Sequence, residues 1–417
     1  MRRRRVQPPI WTIPAWYCAL ALLAGLYLPR LENALQLGFG GRVDPDAMIT
    51  IYSAIASGMI TLTGIVFSLA FVMVQFSATA YSPRLVLWIA REPVIWHAVG
   101  SFCATFLYAL TAIGWIRHKD FAGAYFSGWL GVVLLLVSIG MLIALIEKIS
   151  LLQIYRMLAF TADHGRRVIE ETYPSITTAP SAPGPAAFDG LALTSTLRHS
   201  GRPQSLQALD LPALIGLASA AGAVVEATAS VGDTLVEGTP MARVYGGRPI
   251  DEAMLRAAFL LGPERTFEQD PKYAIRLIVD IAIKALSPAV NDPTTAVQAL
   301  DQLEDLLLRL GRRRLEIGAL RDAGGALRLA VPYPSWDSFL HLAFDEIRYY
   351  GATSVQVMRR MKALAADLIV ALPAERHEAL RRQQQRLDVA IAKSFPDAVE
   401  KQEASIEDRQ GLGVPRK

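Results

Sequence analysis

No charged residue occurs between Ala47 and Ser82 in this 417-residue chain. Cysteine is nearly missing too: Cys18 and Cys103 are the only two, and both fall inside apolar stretches. That excludes a disulfide framework and reads as two small buried side chains. Lysine disappears between Lys148 and Lys272. The net charge of +4 is mild, and no long basic run interleaves with aromatics, so nucleic acid is excluded as a partner. HExxH, paired CxxC, a Walker loop and a GxSxG elbow are all missing. The six histidines, at 97, 118, 164, 199, 341 and 377, share no ligand spacing. The expectation is therefore no catalytic residue, no metal and no cofactor. His341 and Asp345, one helical turn apart beside Glu346, read as a solvated face.

What the chain does have is apolar length. Four stretches, near Ile10–Pro29, Ile49–Ser77, Pro93–Ile116 and Phe121–Ile146, each suffice to cross a bilayer as a helix, which takes about 20 residues. Trp11, Trp16, Tyr27, Trp96, Trp115, Tyr125 and Trp129 lie near their ends, as interfacial anchors do. The opening "MRRRR" with an apolar run behind it also suits a signal peptide. The run is long for that and no clean cleavage site follows, so an uncleaved anchor is expected. Arg2 to Arg5, Arg84, Arg91, Lys148, Arg156, Arg166 and Arg167 lie on one side of the spans, against Arg30, Arg42, Arg117 and Lys119 on the other. The positive-inside rule then puts both termini in the cytoplasm.

The second span is over-long. As one helix, 47–82 would exceed about 50 Å, against a hydrocarbon core of about 30 Å. It must tilt, break or continue past the lipid. Thr50, Ser53, Ser57, Thr61, Gly64, Ser68, Gln75, Thr79 and Ser82 recur at steps of three, four or seven and share one narrow face. Ile51, Ile60, Phe67 and Val74 are expected opposite. Ser53, Ser57, Thr61, Gly64, Ser68 and Gln75 form either a helix-packing seam or, repeated around a homo-oligomer, a weakly polar pore lining. No span carries an ionised group near its middle, which argues against an ion-coupled carrier.

Five segments follow: a four-helix membrane domain over 1–150, a helical extension and linker over 151–187, and a small β-rich domain over 188–250. A mostly helical cytosolic domain over 251–373 and a helical, polar tail over 374–417 complete them. The fold class is an α-helical integral membrane domain plus a cytosolic α+β domain with a small β-sandwich-like part. "VGDTLVEGTPMARV" is similar to the half-motif of biotinyl and lipoyl carriers, but without a lysine to modify, covalent carrier chemistry is excluded. In "KYAIRLIVDIAIKALSPAVNDPTTAVQALDQL", Pro288 stops one helix, while Asp292 as N-cap and Pro293 at the first helical position start the next. Arg276, Asp280 and Lys284 step by four as an ion-pair ladder. A corner explains Pro288, Asp292 and Pro293 and leaves Asn291, Thr294 and Asp301 less accounted for. Asp280, Lys284, Asn291, Asp292, Thr294, Thr295 and Asp301 are therefore the candidate ligand site in the cytosolic part.

Three strings taken together, "IASGMITLTGIVFSLAFVMVQFSATAYSPRL", "CATFLYAL" and "DIAIKALSPAVNDPTTAVQALDQL", resemble the bacterial predicted-membrane-protein family known as domain of unknown function 2254. The resemblance implies a multi-span inner-membrane protein with a cytosolic C-terminal region, and it brings no substrate or catalytic residue. Two functions are carried forward. One is a homo-oligomeric channel or passive transporter, lined by the second span and gated by the cytosolic part. The other is a membrane-anchored binding or scaffold protein holding a small ligand or ion near Asn291–Thr295.

Overall fold

The computed structural model describes residues 11–35, 44–80, 93–116, 125–149, 154–176 and 190–413. The chain divides into two compact units, Met1–Gln153 and Ile154–Lys417. Among the residues read for orientation, Arg2 to Arg5, Arg42, Arg84, Arg91, Arg117 and Lys119 lie outside the described ones, as does the "YSPRL" string.

The first unit holds α1 (Thr12–Ala34), α2 (Pro45–Ala80), α3 (Pro93–Ile116) and α4 (Tyr125–Ile149). Each is long and apolar enough to cross a membrane. Helix α3 is the central one and packs on the other three; Ala98, Phe102, Thr105, Tyr108 and Ala109 are buried on it. Small residues let the helices approach. A methyl group at Gly131 would meet the Tyr52 ring at 2.4 Å, so α4 needs glycine there to lie against α2. The buried hydroxyls pair with one another: Ser138 sits 3.1 Å from Ser101 and 2.8 Å from Thr105. In hydrocarbon such groups must bond internally, and this cluster meets that requirement between α3 and α4.

Helix α2 does not break. Its 36 residues run about 54 Å, of which Pro45–Leu69 is the candidate span.

In the second unit, α5 (Ile154–Thr172) ends just ahead of Pro174. Its inward face is Met157, Leu158, Thr161, Ala162, Val168 and Ile169, and Tyr155 is exposed. The strands β1 (Leu193–Arg198), β2 (Gln204–Leu209), β3 (Val224–Ala227), β4 (Thr234–Leu235) and β5 (Pro240–Tyr245) follow, with α6 (Leu211–Ala221) between β2 and β3. After α7 (Glu252–Ala257) comes β6 (Phe259–Gly262). Helices α8 (Pro271–Ala285) and α9 (Pro293–Gly311) precede β7 (Ala319–Arg321) and β8 (Leu327–Ala330). Helices α10 (Trp336–Tyr350), α11 (Val355–Ala371), α12 (His377–Ser394) and α13 (Ala398–Ser405) complete the order.

The strands form two small sheets, ordered β1-β5-β3-β8-β7 and β4-β2-β6. The segment over 223–247 is divided between the sheets: β4 pairs with β2, while β3 and β5 pair with each other. Strands β6, β7 and β8, from beyond residue 250, complete the sheets, and β8 runs parallel to β3. Leu206, Leu214, Val225, Met241, Val244 and Leu329 share their core. Short strands with few apolar positions bury enough surface only when distant segments join them, and no local pattern announces that.

The helical part is built on α8, whose Ile275, Leu277, Ile278, Val279, Ile281 and Ala282 are all buried between α5, α9 and α10. Val297, Leu300, Leu303, Leu307 and Leu310 point inward on α9, as their spacing predicts. The segment after Ala374 is packed as well. Leu380, Leu387 and Ile391 of α12 and Ala404 of α13 are buried.

Candidate functional site

The hydroxyl face of α2 is exposed. Tyr52, Ile55, Ala56, Met59, Thr63 and Val66 are buried, and they form the face that packs inward. Ser53, Ser57, Thr61, Gly64 and Ser68 are all exposed; at 100° per residue they lie nearly opposite. Among the described residues, no other helix covers these five positions. The expected apolar face is corrected as well: Ile51, Ile60 and Phe67 are exposed and flank the stripe, and Tyr52, Ile55, Ala56, Met59 and Val66 do the inward packing. Residue counting found the stripe but misjudged its back: the inward face is rotated from the expected one, onto Tyr52, Ile55, Ala56, Met59, Thr63 and Val66. The Gln75 side chain lies outside the described residues. Thr61 donates its hydroxyl to the Ser57 carbonyl at 2.8 Å, and Thr50 donates to Asp46 at 2.9 Å. With the proton used internally, each hydroxyl oxygen presents lone pairs outward.

At one end of the spans lies an arrangement the sequence did not suggest. Glu32, just past the expected first span, is buried near the end of α1. Its carboxylate accepts from the Phe126 and Ser127 amides at 2.8 and 3.1 Å, and from Ser127 Oγ at 2.8 Å. It thus caps the first turn of α4, where unbonded amides and the helix dipole favour negative charge. Tyr52 and Tyr108 both donate to the Ser127 carbonyl, at 3.1 and 2.5 Å. Side chains from α1, α2 and α3 therefore converge on one turn of α4. The signal available was a lone acidic residue just past an apolar run, which resembles any loop glutamate. Replacing Glu32 with alanine strands those donors, and a loss of about 2 kcal/mol is expected. It would be read as a lowered melting temperature of the detergent-solubilised chain.

The corner between α8 and α9 makes its own bonds. The Ser287 carbonyl accepts from the Val290 and Asn291 amides at 3.0 and 2.9 Å, and the Asp292 amide returns to Ala285 at 2.8 Å. Asn291 has φ +51°, a left-handed conformation that asparagine tolerates better than most residues. Asp292 caps α9: its carboxylate accepts from the Thr295 amide at 3.1 Å and from Thr295 Oγ1 at 2.6 Å. Asp292→Ala should cost about 1 kcal/mol, measurable by chemical denaturation.

The other residues singled out here disperse. Asp280 takes the Arg276 guanidinium at 2.7 Å, and Arg276 also reaches Glu346 of α10, so the ladder closes across two helices. That bond holds the Glu346 carboxyl below its ordinary range. Asp301 lies about 12 Å further along α9 than the corner, where it and Glu304 receive Arg360 of α11, a side chain only 5% exposed. Thr294 is exposed and Lys284 half-buried. The structure brings together Asp292 with Thr295 and Asp280 with Arg276; it does not bring Asn291, Thr294 and Asp301 around one point.

Comparison with known proteins agrees with the membrane unit and adds no activity. Two relatives described as uncharacterised proteins, from Mycobacterium bovis and Mycobacterium tuberculosis, are each 29% identical over 383 residues, covering 86% of this chain and 71% of theirs. No solved structure matches. Residues 7–367 match the family model described as predicted membrane protein, DUF2254, and with four helices fit to span a bilayer ahead of a mixed helix-and-sheet unit, this chain belongs to that family.

Proposed function

We propose that the protein is a homo-oligomeric channel or passive transporter of the bacterial inner membrane, with α2 lining the path and the C-terminal unit on the cytoplasmic side serving assembly and gating. One observation carries the reading: Ser53, Ser57, Thr61, Gly64 and Ser68 are exposed on the side of α2 away from its own bundle. Hydroxyl oxygens facing acyl chains gain nothing there, whereas the same face repeated around a symmetry axis supplies a weakly polar surface. With no fixed charge between Ala47 and Ser82, such a path selects by size and dehydration and not by the sign of charge.

Flux from liposomes tests it. The purified chain should release small solutes or ions, and a Ser57→Cys variant should lose flux on treatment with a water-soluble methanethiosulfonate. Liposomes that stay sealed with wild-type protein at any load would remove the reading. They would leave a membrane-anchored binding or scaffold protein in its place.

A further inference from the structure

All three exposed tyrosines among the described residues of the second unit lie at one end of it. They are Tyr155, near the start of α5, and Tyr349 and Tyr350, at the end of α10. The helix registers place them together. Helix α5 runs parallel to α9: Arg166 meets Gln302 and Asp305 at 3.0 and 2.6 Å, and one turn on Glu170 meets Arg309 at 2.7 Å. The start of α5 is therefore level with the start of α9, beside the α8–α9 corner. At the end of α10, a methyl group at Gly351 would come within 3.3 Å of Leu286, the first residue of that corner. Helix α11 also parallels α9, since Arg360 meets Asp301 at 2.8 Å and, further along, Leu372 abuts Gly311. Its first turn holds the tail, where Gln356 donates to the Gly411 carbonyl.

Val290 of the corner and Leu412 of the tail are exposed at this end with the tyrosines. Exposed apolar residues scattered singly are ordinary, whereas these five, from four separate segments, gather in one place. Tyrosine joins an apolar ring to a polar hydroxyl, which suits the boundary between lipid headgroups and acyl chains. The bilayer is within reach by connectivity alone. The fourth candidate span ends at Glu147, α4 ends at Ile149 and α5 starts at Ile154. Those last five Cα-to-Cα steps cover at most about 19 Å. Arg156, exposed beside Tyr155, adds a cation suited to lipid phosphate.

We propose that this end of the C-terminal unit is a membrane-docking surface, with Tyr155, Val290, Tyr349, Tyr350 and Leu412 seated among the headgroups of the bilayer from which the fourth span emerges. The α8–α9 corner then gains a role beyond joining two helices. Its own hydrogen bonds and the left-handed Asn291 fix a tight turn that holds Val290 outward. A lipid surface fits better than a second copy, because the short tether keeps a bilayer near this end in every chain. Such docking holds whether or not α2 lines a path.

The test uses the full chain in lipid nanodiscs, with Cys18 and Cys103 changed to serine. Tyr349→Cys, Val290→Cys and Val370→Cys variants each carry one environment-sensitive nitrobenzoxadiazole dye. All three positions are exposed, so the fold tolerates the label, and Val370 lies near the far end of α11, about 22 Å from its start. A nitroxide on the lipid headgroups should quench most of the emission at 349 and 290 and leave 370 unchanged. Iodide in the water should quench 370 most. Equal lipid quenching at all three, or none at 349 and 290, would overturn the proposal. Shielding of 349 and 290 from both quenchers would mean that protein covers this end, and would overturn it as well.

Discussion

Single cysteines at Ser57 and at Thr61, in a chain whose Cys18 and Cys103 are changed to serine, should link two copies when membranes are treated with a short bismaleimide. A cysteine at Met59 should not. Ser57 and Thr61 lie on the exposed side of α2, and Met59 is 6% exposed against α3. The contrast depends only on helical rotation, since residues 57, 59 and 61 differ little in depth. Under the proposed arrangement the linked fraction is the majority at Ser57 and background at Met59, so the expected effect is close to all-or-none. Equal linking at the three positions would mean collisional capture. No linking at any of them would leave the face turned away from other copies.

The second large effect is expected at Arg359 of α11. The side chain is among the largest that are fully buried, in a residue 1% exposed. Its guanidinium donates to the carbonyls of Glu403 and Gly413, and its own carbonyl accepts from the Asp408 amide at 3.3 Å. Asp408 holds the turn beyond it, accepting from the amides of Gln410 and Gly411 at 3.0 and 3.1 Å, and from Gly413 at 2.8 Å. One charged side chain therefore anchors the end of the described chain. Arg359→Ala removes two charge-assisted bonds and leaves a cavity, a loss of about 4 kcal/mol or more. The variant should melt well below wild type and be cleaved after α12 by limited proteolysis. Arg359→Lys should rescue little, because one ammonium cannot reproduce the two divergent donors of a guanidinium.

Much of this was legible in the sequence, and the misses share a cause. The four spans follow from apolar length alone, and the α8–α9 corner from Pro288, Asp292 and Pro293, because those signals are local. Arg359, Glu32 and Asp301 were opaque for the opposite reason. Each is a charged residue whose role is set by a partner far away in the chain: Gly413, Ser127 and Arg360 respectively. Asp301 looked like an unexplained polar residue near a corner and is half of a helix-to-helix ion pair. The tail after Ala374 reads as polar because its apolar residues are sparse, yet Leu380, Leu387 and Ile391 suffice to seat α12. Composition sees how many apolar residues there are, whereas burial depends on which helix they meet.

The most direct measurement is an electron-microscopy reconstruction of the full chain in lipid nanodiscs, at a resolution that separates acyl chains from helices and water. The account predicts that several copies surround an axis, with Ser53, Ser57, Thr61 and Ser68 against water or a neighbouring α2. A single copy with ordered acyl chains lying along those four residues would contradict it.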